Sequence, residues 1–333
     1  MTAVPTTLAV LIEAFFTDRL MRQQRASPCT IASYRDTFRL LLRFAQEGLG
    51  KPPSTLSIPD LDAPFVGAFL DHLEAGRGNT VRSRNARLAA IHSFFRYAAL
   101  TEPLYSAVIQ RVLAMPTKRG ERAQVEFLTR TEVDALLAAP DASTWIGRRD
   151  RTLILVAAQT GLRVSELTGL RVEDVALGRG PHVRCLGKGR KERCTPLRRE
   201  VAALLRQWVR EQRSHPGDPL FPAAHGGRLS TDAVAYLVTK HVEAARHACP
   251  SLRKKRVSPH VLRHSAAMDL FQNGVDLSTI ALWLGHESVE TTQMYRHADL
   301  AMKERALART TPADVRPGRY KPSDSLLAFL QTL

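Results

Sequence analysis

The alternation of apolar and polar positions along the chain predicts a protein built mostly of helices. Over residues 30–44, Tyr34, Phe38, Leu41 and Leu42 recur at helical spacing while Arg35, Arg39 and Arg43 take other faces. Pro28, just ahead, suits a helix start. Residues 79–100 repeat the pattern. Asn79 or Thr80 can cap that helix, Leu88, Ile91, Phe95 and Ala98 form one stripe, and Arg82, Arg84, Arg87 and Arg96 are its basic positions. Thr129 and Glu132 have capping-box spacing ahead of Val133, Leu136 and Leu137, so another helix starts there. Further helical patterns cover 149–159, 164–170, 199–212, 231–248, 261–273 and 289–297. Only 182–186 and 193–197 read as strands, and they flank Gly187-Lys188-Gly189 as a β-hairpin with Lys188 near its tip. The fold class expected is mainly α with a small β-sheet or hairpin in the second domain.

The helical patterns are interrupted at 115–124, MPTKRGERAQ, a polar and basic stretch with no apolar periodicity. The expected organisation is a helical domain over 1–115, a linker over 116–127, a second domain over 128–300 and a tail over 301–333. The tail holds a Pro/Gly-rich connector, 311–322, followed by a short apolar helix pattern. A chain of 333 residues suits two domains, each with its own core.

Composition then narrows the partner. Lys and Arg number 48 against 32 Asp and Glu, a formal charge of +16, and 44% hydrophobic residues argue for packed domains over a disordered basic tail. Residues 1–118 carry 14 Lys/Arg against 9 Asp/Glu, and the rest carry 34 against 23, so both parts can meet a polyanion. Nucleic acid is the expected partner, with a merely Arg-rich composition as the alternative. Cys29, Cys185, Cys194 and Cys249 lie far apart and form no C-x-x-C pair. They read as reduced thiols of a cytoplasmic, nucleoid-associated protein. Residues 1–17 lack the features of a secretory leader, and no stretch reaches 18 uninterrupted apolar residues.

Four segments carry candidate chemistry. In Thr160-Gly161-Leu162-Arg163-Val164-Ser165-Glu166-Leu167, Gly161 ends one helix, Ser165 or a neighbour begins the next, and Arg163 sits in the turn between. A guanidinium held in a rigid turn suits the two oxygens of a phosphodiester, although an Arg capping a helix C-terminus has the same pattern. Gly187-Lys188-Gly189-Arg190-Lys191-Glu192-Arg193 is a cationic hairpin tip and not a Walker loop, so nucleotide hydrolysis is not indicated. It reads either as a solvated turn or as a lysine that reaches a DNA groove and protonates a leaving oxygen. In Ser258-Pro259-His260-Val261-Leu262-Arg263-His264, His260 and Arg263 share one face of a helix opening and can converge on a phosphate. A metal is not expected there, since no carboxylate or thiol stands at ligand spacing. In the fourth segment, 284–297, Gly285 ends a helix and Ser288 caps another that carries Tyr295, which taken alone reads as an amphipathic core residue.

Taken together, TGLRVSEL around Arg163, GKGRKER around Lys188, HVLRH around His260 and Arg263, LGH ending at His286 and TTQMY ending at Tyr295 resemble the ordered signature of the tyrosine recombinase (phage integrase) family. The resemblance is strong over 128–300. Over 1–115 it is one of pattern, to the family's helical, SAM-like core-binding domain. It implies a two-domain, C-shaped clamp on duplex DNA. Tyr295 is implied as the nucleophile that forms a 3′-phosphotyrosyl link, Arg163 and Arg263 as the clamp on the non-bridging oxygens, and Lys188 as general acid for the 5′-oxygen. His260 would assist proton transfer and His286 would bond the phosphate. Glu166 would position Arg163. No cofactor or metal is implied, because the arginines supply the positive charge.

Arg82, Arg84, Arg87, Arg190, Lys191, Lys254, Lys255 and Arg256 are the expected DNA contacts, with a solvated charged face as the alternative for each. Helix 231–248 is a further candidate. The resemblance also implies a homotetramer on paired DNA sites, accessory proteins or sister recombinases, and a terminal helix exchanged between protomers. A type IB topoisomerase, which relaxes DNA without exchanging strands, and a non-catalytic DNA-binding protein remain open at this point.

Overall fold

The computed structural model describes residues 7–120, 125–187, 192–286 and Thr292. These fall into two compact units that divide between residues 122 and 123.

Among the described residues, the regular elements of the first unit are all helical. The unit runs through α1 (Leu8–Ala14), a π-helical turn (Phe15–Gln23), α2 (Pro28–Leu49), α3 (Ala63–Ala75), α4 (Val81–Thr101) and α5 (Ser106–Leu113). Its helices start where side chains can accept the first unpaired N–H groups: Ser27 caps α2, Asp62 caps α3 and Thr80 caps α4. The stripe Leu88, Ile91, Phe95 and Ala98 is fully buried. Around it Phe15, Phe38 and Phe94 meet edge-on or tilted, with Phe38 and Phe94 centroids 5.3 Å apart.

Two of the expected DNA-contact arginines on α4 are turned to internal use. Arg84 is buried and donates to the Pro116 carbonyl at 3.3 Å. Arg87 donates to the Ser33 carbonyl and to Thr37 Oγ1, both at 3.0 Å, tying α4 to α2. Their guanidiniums satisfy acceptors of the same unit, so of the three only Arg82 stands exposed. The polar stretch after α5 is fixed in part: Asn85 bonds both the N–H and the carbonyl of Lys118, whose ammonium also meets Glu74.

The second unit is mainly helical with one small sheet. Its elements are α6 (Arg130–Ala138), α7 (Trp145–Thr160), α8 (Val164–Gly169), β1 (Val175–Ala176), β2 (His182–Leu186), β3 (Glu192–Pro196), α9 (Arg199–Gln212), α10 (Thr231–Ala248), α11 (Pro259–Gln272) and α12 (Leu277–Leu284). The strands lie antiparallel in the order β1-β2-β3, with Val183 opposite Thr195 and Cys185 opposite Arg193. That alternation turns Val183, Cys185, Arg193 and Thr195 inward. The capping box predicted at Thr129 and Glu132 is formed. Helix α11 starts at Pro259, two residues before the periodicity suggests, because Ser258 caps it and Pro occupies the first turn. The expected helix 289–297, the hairpin tip 188–191 and the tail 301–333 lie outside the described residues.

Candidate active site

The site is assembled from ends of elements in the second unit. Helix α7 stops at Gly161, whose φ of 64° is left-handed. Two residues later Arg163 is extended and serves as the N-cap of α8, which begins at Val164 beside Ser165 as the sequence suggests. Glu166 explains this. Its Oε2 accepts the Arg163 backbone N–H at 2.8 Å, the service a Ser or Asp cap ordinarily gives, and its Oε1 accepts Arg163 Nη1 at 2.9 Å. Arg193, from β3, closes the other side of the same carboxylate with Nη1 to Oε1 at 2.9 Å and Nη2 to Oε2 at 2.7 Å. Burial pushes the Glu166 carboxyl up, but the Arg193 and Arg163 hydrogen bonds outweigh it and hold the group below the usual carboxylate range.

Both expected clamp arginines meet at the end of α12. Arg263, on α11 and 3% exposed, donates to the Gly161 carbonyl at 2.6 Å and to the Leu284 carbonyl at 2.8 Å. Arg163 Nη2 donates to the next carbonyl, Gly285, at 3.1 Å. Two guanidiniums are therefore fixed against successive peptide units, and the acceptors are helix-end carbonyls that had lost their intrahelical partners. Gly285 has a φ of 65°, and a Cβ there would lie 2.7 Å from Arg193 Nη1, so the last turn of α12 needs glycine to admit the arginine.

His286 follows directly. Its Nδ1 lies 2.8 Å from Thr292 Oγ1. Burial, and then the charges of Arg263, Arg163, His264 and Arg193, push its pKa down to about 4. His264, next to Arg263, is pushed down to about 4 by burial and by His260 and Arg263. The His260 and His264 rings meet edge-on with centroids 4.4 Å apart. Arg163, Arg263 and His286 are thus gathered with Glu166, and His260 adjoins them through the His264 ring, whereas Lys188 and Tyr295 lie outside the described residues.

A stability prediction arises here. Both histidines have folded-state pKa values below the ordinary 6.5, so the stability they contribute is complete above about pH 6.5 and is lost as pH falls toward 4. Near pH 5 the unfolded chain binds close to two protons that the native second unit excludes. The melting temperature is expected to fall between pH 7 and pH 5, and to fall less in a His264→Asn/His286→Asn variant; equal slopes in calorimetry would contradict the assignment.

Sequence reasoning missed Arg193, His264 and the carbonyls of Gly161, Leu284 and Gly285. Strand alternation across the hairpin was the available signal for Arg193. Among the other expected DNA contacts, Lys254 and Arg256 are exposed. Lys255 is not available in the same way: its ammonium donates to the Phe127 carbonyl at 2.7 Å and to Glu132 at 2.6 Å, anchoring the start of the unit. Arg190 and Lys191 lie outside the described residues. All four cysteines are free, and burial pushes Cys185 up to about 11. Among the described residues, no group of three or more His, Cys, Asp or Glu is arranged to hold a metal ion, and no helix is long and apolar enough to cross a membrane.

Residues 126–302 match the phage integrase family, and residues 12–102 match the phage integrase N-terminal SAM-like domain. A Sinorhizobium fredii protein named as an integrase/recombinase, y4rC, is 59% identical over 98% of both chains. The chain belongs to the phage integrase family. As a tyrosine recombinase it is an enzyme of DNA cleavage and rejoining, and site-specific recombination is the family's activity. The tyrosine recombinase XerD of Pseudomonas putida is 32% identical over 89% of this chain and 96% of that one. Among solved structures, XerH recombinase bound to a palindromic difH substrate matches with a TM-score of 0.69 at 23% identity, covering 90% of this chain and 83% of that one. A lambda integrase tetramer bound to a Holliday junction matches with a TM-score of 0.63 at 16% identity, covering 88% and 78%. These likenesses show that the two-domain, mainly helical recombinase fold is shared.

Proposed function

We propose that this tyrosine recombinase cuts and rejoins paired DNA sites through a covalent intermediate on Tyr295. The observation that carries the reading is the convergence of Arg163 and Arg263 on the adjacent carbonyls of Leu284 and Gly285, beside His286. Fixed guanidiniums suit a phosphorane, where two non-bridging oxygens carry the negative charge of the transition state. The Tyr295 phenolic oxygen bonds to the scissile phosphorus as the bond to the 5′-oxygen breaks. His260 assists departure of the phenolic proton, and Lys188 delivers a proton to the 5′-oxygen. The low pKa keeps His286 neutral at physiological pH; the tautomer that serves a phosphate oxygen carries its proton on Nε2 and accepts the Thr292 hydroxyl at Nδ1. The reverse attack by a 5′-hydroxyl releases the tyrosine, so the bond energy is conserved and no nucleotide is consumed.

In this reading the first unit is a core-binding domain. Arg82, Arg190, Lys191, Lys254, Arg256 and the exposed face of α10 supply backbone contacts, and the enzyme works in the cytoplasm on the nucleoid. The tetramer that lambda integrase forms on a Holliday junction supports four protomers on two duplexes. The terminal helix of the tail, exchanged between protomers, and accessory proteins or a sister recombinase would complete that assembly. A nicked duplex that loses its 5′-hydroxyl fragment on cleavage should trap the protein. Digestion and mass spectrometry should then find the nucleotide on the peptide containing Tyr295. A nucleotide on another residue, or no adduct on any sequence recovered from the DNA bound by the protein, would overturn the reading.

A further inference from the structure

Glu166 is a buried carboxylate paired with two arginines, and it does not touch DNA in the reading above. Its side chain is 5% exposed and accepts four hydrogen bonds, two from Arg163 and two from Arg193. A carboxylate has about four acceptor positions, so this one is saturated. Taken without Arg193, the pair of Arg163 and Glu166 is neutral, and a phosphate would compete with a buried carboxylate for the same guanidinium. With Arg193 the three groups carry one net positive charge. The fork of Arg193 lies on both oxygens, which leaves Arg163 only one side-chain bond to Glu166 and turns its Nη2 to the Gly285 carbonyl. Arg163 keeps a third of its side chain exposed, whereas Arg193 keeps about a tenth. One arginine is presented and the other is spent on the carboxylate.

We propose that Arg193 is a positioning residue of the cleavage reaction, acting through Glu166 to keep the positive charge of Arg163 available to the scissile phosphate. The proposal rests on the assignment of Arg163 to that phosphate. The fit of Arg193 is built into the fold. Register places it inward opposite Cys185, and the glycine at 285 leaves room for its Nη1. Removing Arg193 leaves a buried carboxylate with Arg163 as its remaining cation, and attraction in that poorly solvated setting draws the Arg163 fork onto it.

The test compares single-turnover adduct formation on a nicked duplex with an ordinary scissile phosphate and on one whose scissile group is a methylphosphonate, in which a methyl replaces one charged oxygen. Arg193→Met is expected to slow adduct formation about 10- to 100-fold on the phosphate. The loss should shrink at least several-fold on the methylphosphonate, which asks less of Arg163. The Arg193→Met/Glu166→Gln variant should recover part of the phosphate rate, because the competing charge has gone. A merely structural role predicts equal losses on both substrates and a double variant slower than the single one, and either result overturns the proposal. Arg193→Lys, which keeps the charge and loses the two-pronged grip, is read in the same way if the Met variant does not fold; its expected loss is smaller and has the same dependence on substrate. Wild-type protein that forms no adduct would overturn the assignment of Arg163 and this inference with it. Wild-type adduct with an unimpaired Arg193→Met overturns the inference alone.

Discussion

Replacing Arg263 by alanine is expected to slow adduct formation on a nicked duplex by about 100- to 1000-fold and to destabilise the second unit as well. The catalytic part follows from removing one fixed donor at a site of developing negative charge, which costs about 2.7 to 4 kcal/mol of barrier. The stability part follows from the acceptors. Gly161 and Leu284 lose the donors that lie at 2.6 and 2.8 Å, and buried carbonyls without partners cost about 1 to 3 kcal/mol each. Arg263→Lys separates the two effects. One ammonium cannot match the two-pronged geometry, so most of the rate loss remains, while a single restored hydrogen bond recovers part of the stability. The check is single-turnover kinetics together with thermal unfolding on both variants. A lysine variant with the wild-type rate would show that charge alone, and not the shape of the fork, is what the site uses.

The second large effect is expected at Gly161. Its left-handed backbone costs an L side chain about 1 to 2 kcal/mol. Crowding adds to this: a Cβ would lie 2.7 Å from Leu284 Cδ2 and 3.2 Å from Ala266 Cβ, and overpacking of that kind costs about 1 to 3 kcal/mol. Gly161→Ala should therefore lose about 2 to 5 kcal/mol and several degrees of melting temperature. Gly180 supplies the comparison. It lies in the same unit with a φ of 66° and nothing within 4 Å of a built Cβ, so Gly180→Ala bears the backbone cost alone. The Gly161 variant should also lose adduct yield, because its carbonyl holds Arg263 and its peptide leads into the turn of Arg163. Equal melting temperatures for the two alanine variants would remove the packing argument.

Much of this arrangement was legible in the sequence because the relevant signals are local. Periodicity located α9 and α10 residue for residue, and the capping-box spacing of Thr129 and Glu132 located the start of α6. The two-residue strand β1 and the apolar helix α3 went unread, and of α12 only the end at Gly285 was read: β1 offers too few positions for alternation, and α12 exposes too narrow a polar face to show a helical period. The order of Arg163, His260, Arg263 and His286 was readable, and so was the service of Glu166 to Arg163. What held the two arginines was not readable, since their acceptors are backbone carbonyls, which every residue carries and no motif marks. The same limit explains Arg84, Arg87 and Lys255. A sequence shows that these residues are cationic, but only packing shows that Pro116, Ser33 and Phe127 present carbonyls to them.

Holding the arginines by main-chain oxygen divides the surrounding positions by their tolerance to mutation. The oxygen that Leu284 gives Arg263 survives any substitution that preserves the helix end, so position 284 is constrained by the volume of its buried side chain and not by its chemistry. Positions 161 and 285 are constrained in the opposite sense, because there the addition of a single carbon is the injury. Genetic drift around this site can therefore exchange side chains of like volume on its greasy floor while its two glycines stay fixed.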